Sequence, residues 1–105
     1  MRHLDELIEA DKLLLLDFYL KDCGPCQMLL PELDKVEESL GDAISIQKID
    51  VDQNTALTTE YSIKYQMRGV PTLMLFKRGK LLWKHSGYMN KEAILHHIKQ
   101  NENNY

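Results

Sequence analysis

A chain of 105 residues can bury a core of its own without disulfide or metal staples and fits one domain over residues 1–105. Thirteen basic against sixteen acidic residues leave a net charge of −3, and no basic patch is interleaved with aromatics, so nucleic acid is excluded as an expected partner. The longest apolar run, Leu13 to Leu16, is far too short to cross a bilayer, and the N-terminus lacks the basic segment, apolar stretch and small-residue cleavage site of an export signal. The expectation is a cytoplasmic monomer with no membrane association, a leader removed upstream of Met1 staying open.

Leu4, Leu7 and Ile8 fall at helical spacing and predict a first helix over about His3 to Ala10. A strand follows over Leu13 to Leu20, and then Cys23-Gly24-Pro25-Cys26 opens an amphipathic helix carrying Leu29, Leu30, Leu33, Val36 and Leu40. Pro31 should kink that helix and Gly41 should stop it. Ala43 to Val51 alternates well enough for a second strand, and Asn54 is placed to cap a helix with Leu57, Tyr61 and Tyr65 on one face. Thr72 to Phe76 and Leu81 to His85 read as two strands around the turn signal Arg78-Gly79. Asn90 can cap a last helix with Ile94, Leu95 and Ile98 as its apolar face, and the polar tail from Asn101 to Tyr105 should fray. This order of elements predicts an α/β fold, a mixed sheet covered on both faces.

Both cysteines of the chain lie in one Cys-x-x-Cys at a strand-to-helix junction, a redox signature. A bridge closing so small a loop restricts the unfolded chain little, so a purely structural role is the weaker explanation. Pro25 suits a first helical turn, where its missing N–H has no partner in any case. Cys23 then stands at the helix N-terminus, where free N–H groups and the macrodipole favour a thiolate. The four histidines offer no metal site: His96 and His97 are adjacent and point about 100° apart on a helix, while His3 and His85 stand alone. Trp83 and the tyrosines read as packing aromatics, and neither a phosphate loop nor a serine elbow is present.

Asp17-Phe18-Tyr19, Cys23-Gly24-Pro25-Cys26, Pro31, Lys48-Ile49-Asp50-Val51-Asp52 and Arg68-Gly69-Val70-Pro71-Thr72 stand in the order found in the thioredoxin family, which nearly the whole chain resembles. The resemblance implies a mixed sheet of about four strands flanked by helices on both faces. It also implies a thiol:disulfide oxidoreductase without a bound cofactor, exchanging its dithiol with disulfide-containing client proteins and with a reductase or other dithiol donor. Cys23 would attack a client disulfide and Cys26 would resolve the mixed disulfide. Asp17 would lie buried behind the pair as a proton relay, with Lys48 near it. Val70-Pro71 would be the family's cis-proline segment, beside which a client strand pairs, and Gly24, Pro25, Gly69, Gly87 and Tyr88 would rim a shallow apolar groove.

Three departures stand out. Asp22 occupies the place of the family's usual tryptophan, where its charge can tune Cys23 and alter the choice of partners. The family's N-terminal edge strand is missing or replaced. The stretch from Asp52 to Pro71 is long by about one helical turn, with Glu60-Tyr61-Ser62-Ile63 and Lys64-Tyr65-Gln66-Met67 reading as one unit written twice. Asp22 also supports a second reading, a docking or regulatory module on the same fold with little redox turnover.

Overall fold

The computed structural model describes residues 2–103, with side chains from Leu4 onward; the side chain of His3 and the tail residues Asn104 and Tyr105 lie outside the described residues. In chain order the elements are α1 (Arg2–Glu9), β1 (Leu13–Tyr19), α2 (Gly24–Leu40), β2 (Ile44–Asp50), α3 (Thr55–Tyr65), β3 (Thr72–Lys77), β4 (Lys80–Ser86) and α4 (Lys91–Asn101). Short 3-10 turns at Gly41–Ala43 and Val51–Gln53 flank β2. The strands make one sheet in the order β2-β1-β3-β4, parallel between β1 and β2 and antiparallel elsewhere. Among the described residues no strand precedes β1, and no helix is long and apolar enough to cross a membrane.

The run Leu13 to Phe18 is buried at every position because β1 is an inner strand covered on both faces, which removes the alternation an exposed sheet face would impose. Leu14, Leu16 and Phe18 face one core with Leu4, Ile8, Tyr61, Met67 and Phe76, under α1 and α3. Leu13 and Leu15 face the other with Leu29, Leu33, Val36, Ile94 and Ile98, under α2 and α4. In the first core Tyr61 lies between Phe18 and Phe76, at 5.6 and 6.4 Å between ring centroids, and Tyr65 meets Phe76 edge-on at 5.3 Å.

Helix α2 continues past Pro31 for 17 residues in all and stops at Gly41 as expected, where a φ of +53° and an N–H bond to the Glu37 carbonyl close it. Other local details differ from the expectation. Asn54 holds the N-cap position of α3, but its side chain does not cap the helix: its Nδ2 donates to the Asp50 carbonyl at 3.0 Å. Only Lys64 and Tyr65 of the second repeat copy join α3, because Gln66 turns left-handed at φ +58° and sends Met67 into the core. Lys84 of β4 closes this end, its ammonium donating to the Tyr65 and Gln66 carbonyls at 2.7 and 3.2 Å.

The β3–β4 hairpin turns on Arg78 and Gly79, both at positive φ, as a two-residue loop matched to strand twist requires. Gly79, at φ +78°, holds a backbone conformation that side-chain-bearing residues rarely adopt, and a Cβ there would also press on the Glu9 carboxylate at 2.8 Å, which would have to swing aside. At the start of α4, Asn90 Oδ1 accepts from Ala93 N–H at 2.9 Å, and Glu32 of α2 accepts from Lys91 N–H at 2.8 Å. His85 is not isolated: its ring and that of His97 both stack near-parallel on Trp83, at 6.0 and 4.9 Å.

Candidate active site

Strand register gathers the candidate residues at one end of the sheet. Tyr19, the last residue of β1, pairs with Asp50, and Phe18 pairs with Thr72, which in turn pairs with Ser86. The chain therefore leaves β1 toward Cys23, enters β3 from Pro71 and leaves β4 toward Gly87 at the same end of the sheet. Two contacts fasten these loops together. Gly87, at φ +105°, donates its N–H to the Pro71 carbonyl at 2.8 Å, and the buried Thr72 hydroxyl reaches both the Gly69 carbonyl and Ser86 Oγ. The Val70–Pro71 bond is cis, with Pro71 buried and Val70 half-buried. A mostly apolar hollow of about 190 Å³ adjoins it, lined by Val51, Thr58, Ser62, Met67, Arg68, Gly69 and Val70.

Cys23 is the N-cap of α2 and is disulfide-bonded to Cys26, with Cα atoms 5.2 Å apart. The two sulfurs differ in access, since Cys26 is fully buried while Cys23 is half-buried between exposed Asp22 and exposed Gly24 and Pro25. Cys26 N–H points at Cys23 Sγ at 3.2 Å, a donor left over by the helix start and aimed where a thiolate would carry its charge. Gln27 braces the approach by donating its side-chain amide to the Lys21 carbonyl at 2.9 Å, next to Asp22.

Asp17 is fully buried on β1, and neither carboxyl oxygen has a hydrogen-bond partner among the described residues. Loss of hydration disfavours its ionised form and pushes its pKa up to about 7, with the Lys48 charge pulling weakly the other way. Lys48 is the register neighbour of Asp17 across the parallel pair, yet its ammonium bonds to Asp34 Oδ1 of α2 at 3.3 Å. The family resemblance places Lys48 by Asp17, as the register does, while no local signal in the sequence points to Asp34 as the partner of its ammonium.

A bonded Cys-x-x-Cys at a helix start, a buried carboxyl on the preceding strand and a cis-proline loop at one sheet end meet a matching family model. That model, described as Thioredoxin, covers residues 2–100. The chain belongs to the thioredoxin family. A thioredoxin of Rickettsia typhi is 33% identical over 96 residues, covering 91% of this chain and 88% of that protein. The chloroplastic thioredoxin Y of Oryza sativa subsp. japonica is 38% identical over 96 residues, which are 90% of this chain and 55% of that longer protein. Among solved structures, chloroplastic thioredoxin z superposes with a TM-score of 0.81 at 28% identity, over 96% of this chain and 88% of its own. The protein is accordingly a thioredoxin-like thiol:disulfide oxidoreductase acting on protein disulfides. Tyr88, which follows Gly87 in the chain, and Met28, two residues after Cys26, are large apolar side chains 41% and 59% exposed.

Proposed function

We propose that the chain works as one unit, as a reductase of client protein disulfides, and that the observation carrying this role is the half-buried Cys23 sulfur at the N-terminus of α2 with Cys26 sealed beneath it. In the dithiol state the Cys23 thiolate attacks one sulfur of a client disulfide. A Cys23–client bond forms and the client's other sulfur leaves as a thiolate that takes up a proton. The Cys26 thiol then gives its proton to Asp17 and attacks Cys23 sulfur. The Cys23–Cys26 bond forms, the second client thiolate departs, and the two electrons gained by the client are those lost by the pair.

Asp17 suits this transfer because a base works best with a pKa near the ambient pH, and burial raises this one to about 7. Lys48 belongs to the site as the cation nearest in register to that carboxylate. Client backbone would pair along Val70 and Pro71, with Gly24, Pro25, Gly69, Gly87 and Tyr88 forming the apolar rim. Asp22 beside Cys23 would set both the potential of the couple and which partners dock.

A thioredoxin reductase or another dithiol returns the electrons, and a reducing compartment such as the cytoplasm suits that cycle. Insulin reduction with dithiothreitol as electron source tests the reading. Precipitation of insulin should accelerate over dithiothreitol alone, and an unchanged rate would leave a docking module on a thioredoxin fold.

A further inference from the structure

Lys48 has two carboxylates within its choice. Across the β1–β2 pair it is opposite Asp17. Leu13 and Leu15 of β1 and Ile44 and Ile46 of β2 lie on the face under α2 and α4. Strand alternation therefore puts Asp17 and Lys48 on that same face, side by side in strands about 4.8 Å apart. An ammonium there could turn inward to the partnerless carboxyl group of Asp17. It turns outward instead, to Asp34 on the exposed side of α2.

The other groups facing Asp17 do not replace that charge. Leu73 of β3 is apolar, and so are Leu29, Leu33, Val36, Ile94 and Ile98, which α2 and α4 present to this core; buried Cys26 of α2 is disulfide-bonded and carries no charge. His85 of β4 stands in the same row, but two strands away behind Leu73. The position of one side chain, Lys48, thus decides whether the buried carboxylate has a counter-ion.

We propose that Asp34 is a positioning residue of the redox site, holding the Lys48 ammonium out over α2 and so keeping it off the buried Asp17. The consequence for catalysis rests on the reading above, that Asp17 takes the proton of Cys26. A cation within about 4–6 Å would favour the ionised carboxylate and make it a weaker base. With Lys48 held away, the carboxyl group keeps the basicity that matches a thiol. Because the pair faces water, with side chains 38% and 68% exposed, it adds little to stability, and removing it leaves the fold intact.

The test is a carboxyl-carbon NMR titration of the oxidised full chain, with the Asp17 signal assigned by its loss in Asp17→Asn. Asp34→Asn and Asp34→Ala should lower the Asp17 midpoint by about 1 pH unit as Lys48 swings inward. In a Lys48→Met background the same substitutions should leave the midpoint where it is. An unmoved midpoint in the Asp34 variants overturns the proposal, and so does an equal shift with and without Lys48, which would mean that Asp34 acts through its own field. The pH profile of client release from the mixed disulfide should move acidward together with the midpoint. If the midpoint moves and the profile does not, positioning by Asp34 stands and the relay role of Asp17 falls.

Discussion

The two cysteines are equal in the sequence and unequal in the fold, and the difference sets the order of events. Cys23 is half-buried and receives the Cys26 N–H, whereas Cys26 has no exposure. Cys26→Ser should therefore trap mixed disulfides with clients through Cys23, and Cys23→Ser should trap few; equal trapping in the two variants would refute the assignment. Asp22 works against the helix at the same sulfur. A carboxylate about 7 Å from a thiolate repels it by about 0.6 kcal/mol with water-like screening and about 2.4 kcal/mol at an effective dielectric near 20. The helix start helps by roughly 0.3–1 kcal/mol, so the two influences are comparable. Asp22→Asn should lower the Cys23 pKa and, because an acidic thiol stabilises the dithiol, raise the reduction potential. Thiolate absorbance and equilibration with glutathione read both quantities, and an unchanged or higher pKa would leave Asp22 as a partner-specificity residue only.

Among the elements, α3 is held by a contact from far along the chain. Its last carbonyls receive the Lys84 ammonium from β4, and Gln66 then starts the arm that runs to Val70 and Pro71. A cation at a helix C-terminus is worth about 0.3–1 kcal/mol. Lys84→Met should lower the urea midpoint by a matching amount with an unchanged slope, and Lys84→Arg should restore part of it; an unshifted midpoint in Lys84→Met would show the cap to be inert. This contact marks where the sequence stops being legible. Strand β1, helix α2 and the Arg78-Gly79 turn could be read because an apolar run, a helical period and left-handed residues are local signals. Lys84 to α3, Lys48 to Asp34 and His97 onto Trp83 join residues 14 to 19 positions apart, at separations that only sheet register and helix packing fix. Asn54 misled for a different reason: asparagine at a helix start caps through its side-chain oxygen, but here the side chain is engaged through its Nδ2 on the Asp50 carbonyl and its oxygen makes no cap bond.

At the scale of the whole molecule, Asp17 ties stability to pH in a direction opposite to that of most carboxyl groups. Its folded pKa, about 7, lies above the ordinary value of 3.8, so between these limits the folded chain binds more protons than the unfolded one. Stability from this group is complete below about pH 4, falls as pH rises through the window, and is flat again above about pH 7. The full difference is on the order of 4 kcal/mol, at 1.36 kcal/mol for each pH unit. Asp11 and Glu32 run the other way, since Arg78 and the Lys91 N–H hold their carboxyls below the usual range, and they lose stability in acid. Raw stability curves mix these contributions, whereas comparison with Asp17→Asn isolates one. Both side chains are buried polar groups of the same shape, so the variant and the parent should unfold at similar urea concentrations near pH 4. By pH 8 the variant should be the more stable by several kcal/mol in the oxidised state, where neither cysteine titrates. Parallel curves for the two proteins from pH 4 to 8 would show that Asp17 ionises freely in the folded chain, and with that the match between the buried carboxyl and the Cys26 thiol would be lost.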